Sequence, residues 1–151
     1  MRPALDAMIA ELAGSDPEDR MALLVDRARR LKPWPDRLSD CRDPAHRVQA
    51  CQSPVYLVAE PAGEHVILFG DAPSEAPTVR GFVALLVEAL DGAAIATFAS
   101  LPDDLIERAK LPEILAPRRV HGLHGIVRHL KHAANGVACG PPFPTSSLPE
   151  P

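Results

Sequence analysis

At 151 residues, with 46% hydrophobic and 24% charged side chains, the chain suits one soluble domain that buries about two-thirds of its unfolded surface without disulfides or metals. A net charge of −4 and a pI of about 5.8 argue against a phosphate-tracking surface, and so against nucleic acid as a partner. No stretch approaches the ~18 consecutive apolar residues of a membrane span, and Met1-Arg2-Pro3-Ala4-Leu5-Asp6 lacks the apolar segment of a secretory leader, so the expected compartment is the cytoplasm. Cys41, Cys51 and Cys139 are an odd set with no CxxC pair; they suggest neither a disulfide framework nor a zinc ribbon, and the thiols are expected to be reduced.

Leu5, Met8, Ile9 and Leu12 recur at i, i+3, i+4, i+7 and predict a short amphipathic helix ending near Gly14. Asp16-Pro17-Glu18-Asp19 predicts a second helix start, with Asp16 as cap, Pro17 in the first turn and acids at the positive dipole end. Met21, Leu24, Val25, Ala28 and Leu31 supply its apolar stripe, and Pro33 and Pro35 stop it. Residues 34–50 are polar and irregular, a loop that leads to Cys51.

Val55 to Ala59 and His65 to Phe69 predict a β-hairpin, with residues 60–64 as a longer turn and apolar side chains on both faces. Val79, Phe82, Val83, Leu86, Val87 and Leu90 form the clearest helical stripe in the chain, closed by Asp91-Gly92. Ser100-Leu101-Pro102-Asp103 reads as a capping box for a short helix through Ala109. A last helix runs from about Arg118 to Ala134 and ends at Asn135-Gly136. The expected fold class is α+β, a small antiparallel sheet packed against several helices, in one domain over 1–136. The proline-rich segment 137–151 is expected to be a disordered tail.

The chemistry concentrates at Cys51, which sits at the mouth of a polar loop just before a strand. His46 and Arg47, a few residues upstream, would lower its pKa if the loop folds back. On the last helix, His121, His124 and His132 fall opposite the apolar face, where solvent is their simplest environment. No carboxylate or cysteine completes a metal set with them, so no metal is expected. Arg119 lies near the apolar face at the N-terminal turn, where a cation opposes the helix dipole. It is either a side chain reaching past the core to a polar partner or a group that faces the Cys51 loop or a binding partner. No GxSxG, HExxH, Walker or GxGxxG pattern appears.

Three segments together resemble the SufE family of sulfur-acceptor proteins, which includes CsdE. They are His46-Arg47-Val48-Gln49-Ala50-Cys51-Gln52-Ser53-Pro54-Val55-Tyr56, Gly70-Asp71 followed by Glu75-Ala76-Pro77-Thr78-Val79-Arg80-Gly81-Phe82, and Leu115-Ala116-Pro117-Arg118-Arg119-Val120-His121-Gly122-Leu123. Ala50, His46 and Tyr56 stand where the family pattern has glycine, asparagine and tryptophan. The alanine would restrict the loop if that glycine uses a positive φ.

The resemblance implies a fold similar to the IscU scaffold. It also implies a carrier that takes sulfur as a persulfide on Cys51 from a pyridoxal-phosphate-dependent cysteine desulfurase of the SufS or CsdA type, stimulates that enzyme, and delivers sulfur towards iron–sulfur scaffold proteins of the SufB type. Ala50, Gln52 and Ser53 are then the transfer loop, and Arg119, Glu75 and His46 the candidate loop or partner contacts. The carrier holds no cofactor of its own, is not a stand-alone enzyme, and is a monomer or homodimer. The alternatives are an IscU-like iron–sulfur or zinc scaffold, for which one matched cysteine is too few ligands, and a non-catalytic interaction module.

Overall fold

Leu5, Met8, Ile9 and Leu12 are all buried along one face of helix α1 (Pro3–Gly14), as their spacing predicts. The computed structural model describes residues 3–133. Asp16 caps α2 (Pro17–Ala28), its carboxylate accepting from the Asp19 amide at 2.9 Å. That helix ends sooner than its apolar stripe suggests. The Arg29 and Arg30 amides bond three residues back, to the Asp26 and Arg27 carbonyls, tightening the chain into a turn that still buries Leu31.

The corner between α1 and α2 is held by Arg20, a buried cation invisible to hydrophobic patterning. Its guanidinium donates to the carbonyls of Leu12 (2.7 Å), Ser15 and Lys110 (3.2 Å) and to the Glu113 carboxylate (3.3 Å). It thereby ties the first two helices to a 3-10 turn at Leu111–Glu113.

Strands β1 (Tyr56–Ala62) and β2 (His65–Asp71) form one antiparallel hairpin, with Tyr56 opposite Asp71 and Ala62 opposite His65. The turn is shorter than expected. Only Gly63 and Glu64 connect the strands, Gly63 takes φ +70°, and Pro61 lies within β1 opposite Val66. A two-stranded sheet is marginal alone, so its faces and edges must be covered. Leu57, Ala59, Val66 and Leu68 face the main core. On the other face Val58 packs with Leu38 and Cys41, and Trp34 and Phe69 flank them. Leu38 and Cys41 come from a 3-10 segment, Asp36–Cys41, within the stretch expected to be irregular. Cys41 is disulfide-bonded rather than the reduced thiol expected of it, because an odd cysteine set without a CxxC gives no hint of pairing.

Both hairpin edges are occupied. Along β2, the Val66 amide donates to Ala93 and the Gly92 amide to Val66, while Leu68 donates to the Asp91 carboxylate. Along β1, the Leu57 amide donates to the His46 carbonyl at 3.0 Å, and Arg47 bridges Tyr56.

Helix α3 (Pro77–Leu90) is the pole of the molecule, buried around most of its circumference from Val79 to Leu90 and packed by α1, α2, β2 and α6 (Pro117–Ala133). Between α3 and α6 run α4 (Ile95–Ala99) and α5 (Leu105–Arg108). The expected capping box does not form: Asp104 occupies the cap position of α5 without a side-chain bond, and Asp103 is drawn into an ion pair with Lys131 of α6. The architecture is α+β. The expected helix end at Asn135-Gly136 and the segment 137–151 lie outside the described residues.

Helix α2 crosses α3 at Gly81, where an added Cβ would lie 1.9 Å from the Leu24 carbonyl oxygen. Backbone cannot yield as a side-chain tip can. Gly81→Ala should therefore force the helices apart and cost about 3 kcal/mol in urea denaturation; a loss below about 0.5 kcal/mol, within the range of an ordinary surface change, would contradict this contact.

Candidate functional site: a docked cysteine loop

The segment Gln49–Pro54 leaves and rejoins the β1 edge between two buried valines, where the Val48 amide donates to the Val55 carbonyl at 2.9 Å. Both ends of the excursion are therefore pinned, not only the strand side. Its tip is held more sparsely: the Cys51 amide bonds the Val48 carbonyl at 3.1 Å, and the Arg47 guanidinium donates to the Gln52 carbonyl at 3.3 Å.

The tip packs against α6. The Cys51 thiol donates to the Gly122 carbonyl at 3.3 Å, and Cys51 is only 6% exposed. This fit depends on two residues without side chains. A Cβ on Gly122 would stand 3.0 Å from Cys51 Sγ, and one on Gly125 would stand 2.4 Å from the Ala50 methyl. Ala50 does not adopt a positive φ, so the alanine in place of the family glycine imposes no strain; its methyl fills the space over Gly125.

Burial has an electrostatic consequence. Desolvation pushes the Cys51 thiol up to about 11, against the opposing pull of Arg119 and then Arg47. Ionising it in the docked position costs on the order of 3 kcal/mol relative to a free thiol. The docked cysteine is thus a protected thiol at neutral pH, and the loop must move for it to act as a nucleophile.

Cys51 nevertheless has a route outward. It borders a cavity of about 520 Å³ lined also by Gln52, Ser53, Val79, Ala116, Pro117, Arg118, Arg119 and Gly122. Arg119 is exposed there and acts electrostatically on the thiol, and Arg118 lines the same cavity. Of the other candidates, Gln52 and Ser53 line this cavity. Glu75 is exposed before α3 and is not part of its lining.

His46 lies on the far side of the loop, buried, with Nδ1 2.7 Å from Asp43, and contributes nothing to the thiol's shift; Arg47 does. Of the last helix's histidines, His121 and His132 are exposed as expected, whereas His124 is half-buried and its Nε2 lies 2.8 Å from the Glu107 carboxylate. Among the described residues, no three His, Cys, Asp or Glu side chains converge as a metal site, and no helix is long and apolar enough to cross a membrane.

Gly122 and Gly125, and Arg118 as a member of the site, were not singled out by sequence reasoning. The signal available for the first pair was two glycines inside one helix, each costing about 1 kcal/mol relative to alanine unless close packing requires them.

Fold and site together define a small α+β domain that presents one loop cysteine beside a cation-lined cavity. The family model SufE, described as an Fe-S metabolism associated domain, matches residues 6–134, and the chain belongs to the SufE family. It is 29% identical over 128 residues to an uncharacterized SufE-like protein of Mycobacterium tuberculosis, covering 84% of this chain and 88% of that one. It is 31% identical over 126 residues to an uncharacterized SufE-like protein of Synechocystis, covering 83% and 76%. A solution structure of a hypothetical protein from Thermus thermophilus is similar with TM-score 0.76 and 27% identity, over 89% of this chain and 96% of that one.

The thiol's raised pKa fixes a pH dependence. The docked state holds its proton longer than the free thiol, so its docking advantage is complete below the free-thiol pKa of about 8.5 and is lost as pH rises through about 11. Iodoacetamide should alkylate Cys51 slowly at neutral pH and much faster towards pH 11. Arg119→Ala should move the profile to higher pH. A midpoint at or below about 8.5 would refute the protected thiol.

Proposed function

We propose that this protein is a sulfur carrier for iron–sulfur cluster assembly. It takes persulfide sulfur from a pyridoxal-phosphate-dependent cysteine desulfurase of the SufS or CsdA type onto Cys51, stimulates that enzyme, and passes the sulfur to a SufB-type scaffold in the cytoplasm. Family membership supports the general role. The observation that carries the specific reading is Cys51 itself, a thiol at the tip of a loop pinned at its base and seated against α6 at its end, beside Arg119.

The transfer needs little machinery. The Cys51 thiolate attacks the outer sulfur of the partner's cysteine persulfide, a new S–S bond forms to Cys51, and the old S–S bond breaks. The electron pair departs with the partner's cysteine as a thiolate, and the proton from Cys51 goes to water or to that thiolate. No oxidant or reductant is consumed. The partner's pyridoxal phosphate does the carbon–sulfur chemistry; the carrier supplies access and protection.

The docked and released loop states divide these tasks. Released, Cys51 approaches the ordinary thiol range and can attack. Docked, the sulfur has the adjoining cavity to occupy and Arg118 and Arg119 to offset a persulfide's negative charge. Gln52 and Ser53 travel with the loop, Ala50 is its seat on α6, and Arg119 positions either the thiol or the partner. We assign Glu75 to partner contact only, from its exposed place before α3.

Incubation with a desulfurase and cysteine should add one sulfur atom by intact mass, abolished in Cys51→Ser. Stoichiometric iron or zinc without that mass gain would favour a scaffold, and neither result an inert module. Arg119→Ala should slow sulfur transfer about tenfold, equivalent to roughly 1.4 kcal/mol, with the melting temperature unchanged; a collapse of folding would make Arg119 structural instead.

A further inference from the structure

Sulfur transfer makes no use of the second cavity, which lies behind the Cys51 loop. It measures about 570 Å³ and has two facing walls, residues 45–50 on the loop side and Gly125, Arg128, His129, His132 and Ala133 of α6, with Leu57 and Ala59 of β1 between them. Five cationic or imidazole side chains line it, from Arg47, Arg128, His46, His129 and His132, and no carboxylate does. That is a marked local reversal in a chain of net charge −4.

The arginines there are also unspent. Arg20, Arg27, Arg30, Arg37, Arg42, Arg80 and Arg108 all pair with carboxylates. Among the described residues Arg47 and Arg128 pair with none, although Arg47 donates to the Gln52 carbonyl. His46 is 6% exposed; its Nδ1 is committed to Asp43, while Nε2 is buried and has no hydrogen-bond partner. Native proteins seldom leave such an atom unanswered. His129 reports the same field: burial, then the neighbouring His46 and His132, depress its pKa, outweighing a backbone hydrogen bond at Leu57.

We propose that this cavity is an anion-binding site, taking a small anion with a carboxylate or phosphoryl group between His46 and Arg47 of the loop and Arg128, His129 and His132 of α6. A bound anion lets His46 hold both ring protons, one donated to Asp43 and one to the ligand, with the second proton taken up from solvent. Asp43 is the acid beside His46; the other charged or titratable groups facing the site are Arg47, Arg128, His129 and His132. Affinity therefore falls as pH rises through the imidazole range. Because the ligand spans loop and helix, it also holds the loop docked and shields Cys51.

Titration of the full chain with inorganic phosphate or succinate, at ionic strength fixed with sodium chloride, tests this by NMR of the histidine rings. The expected result is saturable binding with Kd below about 10 mM, a higher His129 pKa, and weaker binding at about pH 8 than at about pH 6. Cys51 alkylation should slow at least about threefold at saturation. Arg128→Ala, an exposed change outside the transfer site, should weaken binding at least about fivefold. The tighter of the two anions identifies the ligand class. Absence of saturation, an equal response to chloride, or unchanged affinity in Arg128→Ala would overturn the proposal. No desulfurase enters the experiment, so its outcome is separate from that of the sulfur-carrier reading.

Discussion

The Cys51 thiol reaches the backbone of α6 because positions 122 and 125 carry no side chains. A methyl at either would meet the loop, at Sγ in one case and at the Ala50 methyl in the other. Much of the site follows from this close approach. It sets the depth at which the thiol is buried, the desolvation that keeps it protonated, and the division of surrounding space into one cavity on each side of the loop. Two glycines weaken a helix by about 1 kcal/mol each, and the docked loop returns part of that through the thiol's hydrogen bond to the Gly122 carbonyl and the burial of Cys51 in the core. The seat is close in fit, and a thiol acting as the sulfur carrier proposed above would have to leave it.

Charge is organised around the same point. Over most of the surface arginines are neutralised by nearby acids, and exposed pairs of that kind contribute little to stability. Among the described residues Arg29, Arg47, Arg118, Arg119 and Arg128 lack such a partner, and all but Arg29 line one of the cavities flanking the loop. An acidic protein thus carries a localised positive field where its cysteine is presented. Such a field draws in anionic groups and favours a thiolate once the loop leaves its low-dielectric seat.

The α+β class and the long regular elements were legible because periodicity survives tertiary context: Leu5 to Leu12 and Val79 to Leu90 are buried as their spacing predicts. Shorter features were legible only where local chemistry went unopposed. Asp16 caps its helix, whereas Asp103 is diverted by Lys131, a residue far away in sequence. Pro61 looked like a turn residue, yet it takes a place in β1 opposite Val66. Leu38 and Cys41, isolated apolar residues in a polar stretch, have no period from which their 3-10 segment and their burial against Val58 could be read. Within the site, Cys51 and Arg119 carry chemistry that a motif can flag. Gly122 and Gly125 act through what they lack, and His46 proves to belong to the opposite cavity from the thiol.

The inner end of the loop has a further consequence. The backbone bonds of Leu57 to His46 and Val48 to Val55 lie at the loop's root, away from its tip, and they cover the outer border of β1. A tip that swings out therefore leaves those bonds intact, and no unpaired strand is offered to neighbouring molecules. In the proposed carrier cycle, a thiol placed beyond a stitched margin could pass between sheltered and reaching forms without the self-association that a bare β-ribbon would invite.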